Sequence, residues 1–107
     1  MRRLSTLLLP LLLVACTTPT AEPVTVELEV PAGGIAQPIE QHVDLGAEVT
    51  LRVTSAEDDE LHVHGYELHI LTPAGETVEE VFEANMSGSY EIESHEAGQV
   101  YMNLVVS

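Results

Sequence analysis

The chain has 107 residues, of which 18 are acidic and three are arginine, and it carries a formal net charge of −15. That length allows one small domain with a modest core. So acidic a surface repels phosphate backbones, which excludes nucleic acid and leaves cations or a basic protein as the partners that the charge favours; the same composition also suits life in high salt.

Arg2 and Arg3 open the chain, and an apolar stretch from Leu4 to Ala15 follows, broken by Ser5, Thr6 and Pro10. A basic start, a short apolar run and a small residue at the cut are the parts of an export signal, and the run is too short for a bilayer core, which needs about 20 apolar residues. Its end, Leu13-Val14-Ala15-Cys16, resembles the lipobox of bacterial lipoproteins. The resemblance implies cleavage after residue 15 and a diacylglycerol on the Cys16 thiol. It also implies anchorage in the cell envelope, on the extracytoplasmic face of the outer or the cytoplasmic membrane. A plain secretory signal with an incidental cysteine is the alternative. Cys16 is the sole cysteine. Once it is lipidated, the fold has no disulfide, no thiolate nucleophile and no thiolate metal ligand. Loss of residues 1–15 also leaves Arg52 as the one basic side chain.

Residues 16–23 read as the lipidated cysteine and a proline-containing tether, and residues 24–107 as one domain. Val24, Val26, Leu28 and Val30 alternate with Thr25, Glu27 and Glu29, the period of a strand with one wet face. After the break at Pro31-Ala32-Gly33-Gly34, Ile39, Val43 and Leu45 alternate with Glu40, His42 and Asp44 up to a turn at Gly46-Ala47. Val49, Leu51 and Val53 mark the next strand. An acidic loop, Glu57 to Glu60, leads into Leu61–Leu71, where apolar residues of both parities predict one central strand covered on both faces. Strands over 77–82, 89–94 and 100–106 complete the chain. A helix over 76–85 suits the glutamates there, but Thr77, Val78, Val81 and Phe82 favour a strand. About seven short strands with regular turn signals predict an all-β, Greek-key β-sandwich.

Chemistry concentrates on the histidines. His62 and His64 are two apart on a strand, so both imidazoles project from one face and two nitrogens can reach one ion. On a regular strand Tyr66 and Leu68 share that face, which makes the pair the end of a core-facing row. His69 has the opposite parity and is expected on the other face beside Glu67. His95 follows the 89–94 strand and enters a loop. His42 lies between Glu40 and Asp44 on a wet face and reads as surface. Imidazole suits copper, zinc and nickel. The bland alternative is that His62 and His64 merely pack and hydrogen-bond in the strand mouth.

The segments Asp59-Glu60-Leu61-His62-Val63-His64-Gly65-Tyr66-Glu67, Phe82-Glu83-Ala84, Gly88-Ser89-Tyr90-Glu91-Ile92, His95 and Leu104-Val105-Val106 resemble, in order and pattern, the cupredoxin-like domains of bacterial lipoproteins. The resemblance implies copper as the cofactor, with zinc second. It makes His64 the first ligand, His95 the ligand from the last loop, and His62 an extra imidazole. Met86 and Met102 are the possible accessory sulfurs. Two positions depart from the blue-copper pattern: the cysteine slot falls on Ser94 and the axial methionine slot on Val100. Without the copper–thiolate bond, rapid electron transfer is not implied. The His-x-His spacing also resembles copper–zinc superoxide dismutase, but the further zinc ligands and the disulfide of that family are missing. These readings point to a membrane-anchored, extracytoplasmic copper-binding protein used in copper handling rather than catalysis. The alternative is a metal-free interaction module whose acidic surface docks a basic protein.

Overall fold

The computed structural model describes Pro10 and residues 21–107. The leader apart from Pro10, Cys16 and the first part of the tether lie outside the described residues. Eight strands follow: β1 (Val24–Val30), β2 (Ile39–Val43), β3 (Glu48–Ser55), β4 (Asp59–Val63), β5 (Leu68–Thr72), β6 (Thr77–Glu83), β7 (Gly88–Ser94) and β8 (Val100–Val106).

They form two sheets, a three-stranded one in the order β1-β3-β6 and a five-stranded one in the order β2-β8-β7-β4-β5. The pairs β1–β3 and β2–β8 are parallel and the rest antiparallel. Non-sequential neighbours and parallel pairs in a chain of short strands are the outcome of strands that cross between two packed sheets. The architecture is therefore the all-β sandwich that the strand spacing predicts.

Alternation decides which side chains meet between the sheets. Val26, Leu28, Val49, Leu51 and Val53 point inward from one sheet, and Leu61, Val63, Ile92, Met102, Leu104 and Val106 from the other; all are buried. Among the described residues, all eight strands and every buried core residue lie between Val24 and Val106, with Ala21 of the tether packed against the core. The expected inward row of β2 survives only at Val43, because Ile39 and Leu45 lie exposed at the rim of the sandwich.

One sequence expectation fails, and it accounts for the eighth strand. The run 61–71 is not one strand but the hairpin β4–β5, folded back through the turn at 64–67. Gly65 (φ 84°) and Glu67 (φ 53°) both occupy the left-handed region that reverses the chain. At Gly65 the reversal brings the backbone against the ring of Tyr90, where a β-carbon does not fit. Apolar residues of both parities in this run thus record a change of direction, not a strand covered on both faces.

Candidate metal centre

Leu61 and Val63 take the inward positions of β4 and are fully buried. Glu60, His62 and His64 are consequently turned to the outer face of the five-stranded sheet. This corrects the expectation that the His62–His64 pair belongs to a core-facing row. The hairpin register then sets Leu61 opposite Ile70 and His62 opposite His69. Residues directly opposite in an antiparallel pair share a face. A four-residue turn makes opposite partners differ in sequence parity, so His69 joins the pair that simple alternation along one strand excludes it from.

Three imidazoles therefore lie together. The His62 ring is 4.2 Å from that of His64, tilted by 42°, and 4.3 Å from that of His69, stacked within 11°. Each faces one carboxylate: His62 Nε2 is 3.7 Å from Glu67 Oε2, His64 Nε2 is 3.6 Å from Glu93 Oε2, and His69 Nδ1 is 3.3 Å from Glu60 Oε1. The Nε2 atoms of His62 and His64 are closed off from solvent and have no hydrogen-bond partner. Shielded ring nitrogens without a partner are costly, and proteins normally satisfy them. Among the described residues, no group of three or more His, Cys, Asp or Glu side chains is arranged to hold a metal ion.

His95 is placed elsewhere. Its N–H donates to the Glu60 carbonyl at 2.8 Å, continuing the register in which Ser94 faces Leu61 and Glu93 faces His62. It thus lies level with Glu60, four residues along β4 from His64, a separation of roughly 14 Å across the ladder. Imidazoles so far apart do not reach one ion, so the set His62, His64 and His95 is not brought to a point. Met102 is fully buried in the core. Met86 is exposed on the loop after β6, where the Tyr66 hydroxyl donates to its carbonyl at 3.0 Å and accepts from its N–H at 3.3 Å. Cys16 lies outside the described residues.

At the end of the sandwich where β7 leaves for β8, a different group is built. Ser94, fully buried, donates its hydroxyl to the Asp59 carboxylate at 2.8 and 2.9 Å and accepts the Ala97 N–H at 2.9 Å. The same carboxylate accepts from the Glu60 N–H at 2.8 Å and from the Tyr101 hydroxyl at 3.4 Å. These bonds tie the start of β4 to the end of β7 and the start of β8. Sequence reasoning missed this cluster. The one available signal was Asp59 at an inward parity with Leu61 and Val63, since a carboxylate there needs buried donors.

The chain matches solved structures of copper proteins. It is similar to a chain of a heme-copper terminal oxidase dimer, with 18% identity and a TM-score of 0.61, over 88% of this chain and 76% of that one. It is similar to a copper binding protein in the apo form, with 11% identity and a TM-score of 0.65, over 82% and 97%. A laccase from Botrytis aclada matches with 16% identity and a TM-score of 0.64, over 85% of this chain but only 23% of the laccase. The fold is cupredoxin-like. No protein-family model and no curated protein matches the sequence.

In the cupredoxin-like domain, the pole that the sequence resemblance assigns to copper does not suit a blue-copper centre. Ser94 stands in the cysteine slot, with its hydroxyl committed to Asp59 and Ala97. Val100, in the methionine slot, offers no donor atom. Asp59, not His64, is the β4 side chain that meets Ser94, because Asp59 shares the inward parity of β4 and His64 does not. The outer face carries imidazole nitrogens, donors of a kind used for Cu(II) and Zn(II), and two of them have no hydrogen-bond partner.

Proposed function

We propose that this chain is a lipid-anchored, extracytoplasmic protein of the bacterial cell envelope that binds copper through the imidazoles of the β4–β5 hairpin, for copper handling rather than turnover. One observation carries the reading: the Nε2 atoms of His62 and His64 are shielded and unpartnered in rings 4.2 Å apart. Neutral imidazole nitrogens in that state are available as donors to a cation. The leader and the lipobox-like end support export and attachment through Cys16, to the outer or the cytoplasmic membrane. The similarity of fold to a copper binding protein supports copper as the first ion to test, with zinc second. The 18 acidic residues raise the local concentration of any cation at the surface.

The test uses residues 16–107 with Cys16→Ser, which hold all eight described strands. Titration should show uptake of about one Cu(II) per chain, lost in His64→Ala, with nitrogen ligation and no thiolate in the electron paramagnetic resonance spectrum. A folded protein that leaves added copper in solution overturns the reading. It would favour the alternative, an interaction module for a basic protein, a reading supported by the hydrogen-bonded closure of the pole at Asp59 and Ser94. In that case capture of the partner weakens with salt and ignores copper.

A further inference from the structure

We infer that Asn85 is a site of N-linked glycosylation, modified on the extracytoplasmic face by a transferase that takes its glycan from a lipid-linked phosphate donor. The inference rests on the export part of the reading above, not on copper, and adds a covalent modification to it.

The sequence supplies the acceptor. Residues 83–87 read Glu83-Ala84-Asn85-Met86-Ser87. Asparagine followed two residues on by a hydroxyl, with no proline between, is the acceptor pattern for N-linked glycans, and it is used where the asparagine lies on a surface loop of an exported chain. Asn103, the other asparagine of the chain, is followed by Leu104 and Val105 and lacks the hydroxyl. Glu83 extends the pattern to acidic-x-Asn-x-Ser. Its exposed carboxylate is free to pair with a basic side chain of the transferring enzyme.

The fold presents that pattern to solvent. β6 ends at Glu83 and β7 begins at Gly88, so Asn85 and Ser87 both fall on the connection between them. Ala84 is fully buried and pinned to the turn at 46–47, donating to the Ala47 carbonyl and accepting from the Gly46 N–H, each at 2.8 Å. The chain then bends sharply, with the Asn85 N–H donating to the Glu83 carbonyl at 2.9 Å, and Asn85, Met86 and Ser87 are all exposed. Tyr66 holds the main chain of Met86, and the Tyr90 hydroxyl donates to the Ser87 carbonyl at 2.8 Å. These bonds use main-chain atoms of the loop, and they leave the Asn85 amide and the Ser87 hydroxyl to a visiting enzyme.

The step is a substitution at the anomeric carbon of the donor sugar. The bond from Asn85 Nδ2 to that carbon forms as the bond from the same carbon to the lipid phosphate oxygen breaks. The phosphate leaves with the electron pair, the amide gives up one proton, and nothing is oxidised or reduced. Ala21 and Pro23 of the tether line one cavity with Gly46 and Glu83, so the glycan stands at the end of the sandwich where the tether enters. There it covers Leu45 and Met86, both exposed apolar side chains, and leaves the opposite pole at Asp59 and Ser94 bare.

The experiment measures the intact mass of the full chain, extracted with detergent from the membranes of the cells that make it, beside Asn85→Gln, Ser87→Ala, Ser87→Thr and Glu83→Gln made in the same cells. Thermal melts confirm folding, and a lipid on Cys16 is common to parent and variants and cancels. The parent should exceed its lipidated polypeptide by the mass of a glycan, which fragmentation places on Asn85. The increment should vanish in Asn85→Gln and Ser87→Ala, persist in Ser87→Thr, and fall to a minor fraction of the molecules in Glu83→Gln. An exported, lipidated parent that differs from Asn85→Gln by the substitution alone overturns the inference and leaves the export reading standing. An increment that survives in Asn85→Gln overturns it as well, and full occupancy in Glu83→Gln overturns the part given to that carboxylate. A chain that keeps residues 1–15 and stays in the cytoplasm removes the export reading and this inference together.

Discussion

His62 and His69 face each other across the β4–β5 ladder, with their rings stacked 4.3 Å apart and 11° from parallel. The stack exists because the turn between them has four residues and a left-handed Gly65, which together place two histidines of unlike parity on one face. It sets His62 in the middle of three imidazoles, and it makes the choice between His69 and His95 as third nitrogen a question that mutants answer.

On the copper reading, His69→Ala should lower Cu(II) affinity by at least about tenfold, whereas His95→Ala should leave it unchanged. Calorimetric titration of both variants measures the difference. Loss of affinity in His95→Ala with none in His69→Ala would contradict the placement of the site on the hairpin face.

Bound metal should also stabilise the fold, since it binds the native state alone. At a free concentration 100 times the dissociation constant the gain is about 2.7 kcal/mol, which raises Tm by roughly 10–20 °C in a domain of this size. Addition of a chelator should return Tm to its starting value. The same titration on a His62→Ala, His64→Ala double variant should show no shift.

The closed pole predicts a stability effect separate from metal. Asp59→Ala leaves the fully buried Ser94 hydroxyl without its acceptor and takes a partner from the Tyr101 hydroxyl. The loss of an acceptor to a buried hydroxyl costs about 1–3 kcal/mol, which denaturant unfolding resolves. Copper affinity should not move, because the carboxylate faces inward and the imidazoles face out.

Gly65→Ala should destabilise by roughly 2–4 kcal/mol, through the left-handed backbone and a methyl group that meets the Tyr90 ring. The change displaces the turn beside His64. Thermal melting checks the first effect, and a weakened Cu(II) titration of the still-folded fraction checks the second.

Tyr66 gives a pH signature in the metal-free protein. Its ring packs against Phe82 and Tyr90, and desolvation pushes its phenol above the ordinary value of 10.0, with the Met86 hydrogen bond opposing and Tyr90 adding to the rise. Above about pH 10 the unfolded chain releases this proton before the folded one does. The contribution of Tyr66 is therefore complete below that pH and is lost as pH rises through the folded value. Tyr66→Phe should flatten the fall in stability on the alkaline side, as followed by denaturant midpoints from pH 8 to 11.

Much of the fold was legible. The alternations at Val24–Val30, Val49–Val53 and Val100–Val106 mark strands with one dry face, and each is a strand with that face inward. The run 61–71 was misread because a hairpin whose two arms both bury residues imitates, in one dimension, a single strand buried on both sides. The histidine pair was visible from its spacing, but its face was not. Parity says which residues travel together, and only the partner sheet says which group faces the core.

The sequence by itself determined the two-residue spacing that keeps His62 with His64, the lack of any thiol in the domain, the dominance of carboxylates, and the strand-by-strand alternation of a sandwich. These are local properties, fixed by side-chain chemistry and the period of an extended chain. Tertiary structure decided that His69 and not His95 lies beside them, that Asp59 meets Ser94, and that Glu67 and Glu93 approach the imidazoles. Those neighbours come from register and chain reversal, and register is set by which apolar rows the two sheets bury together.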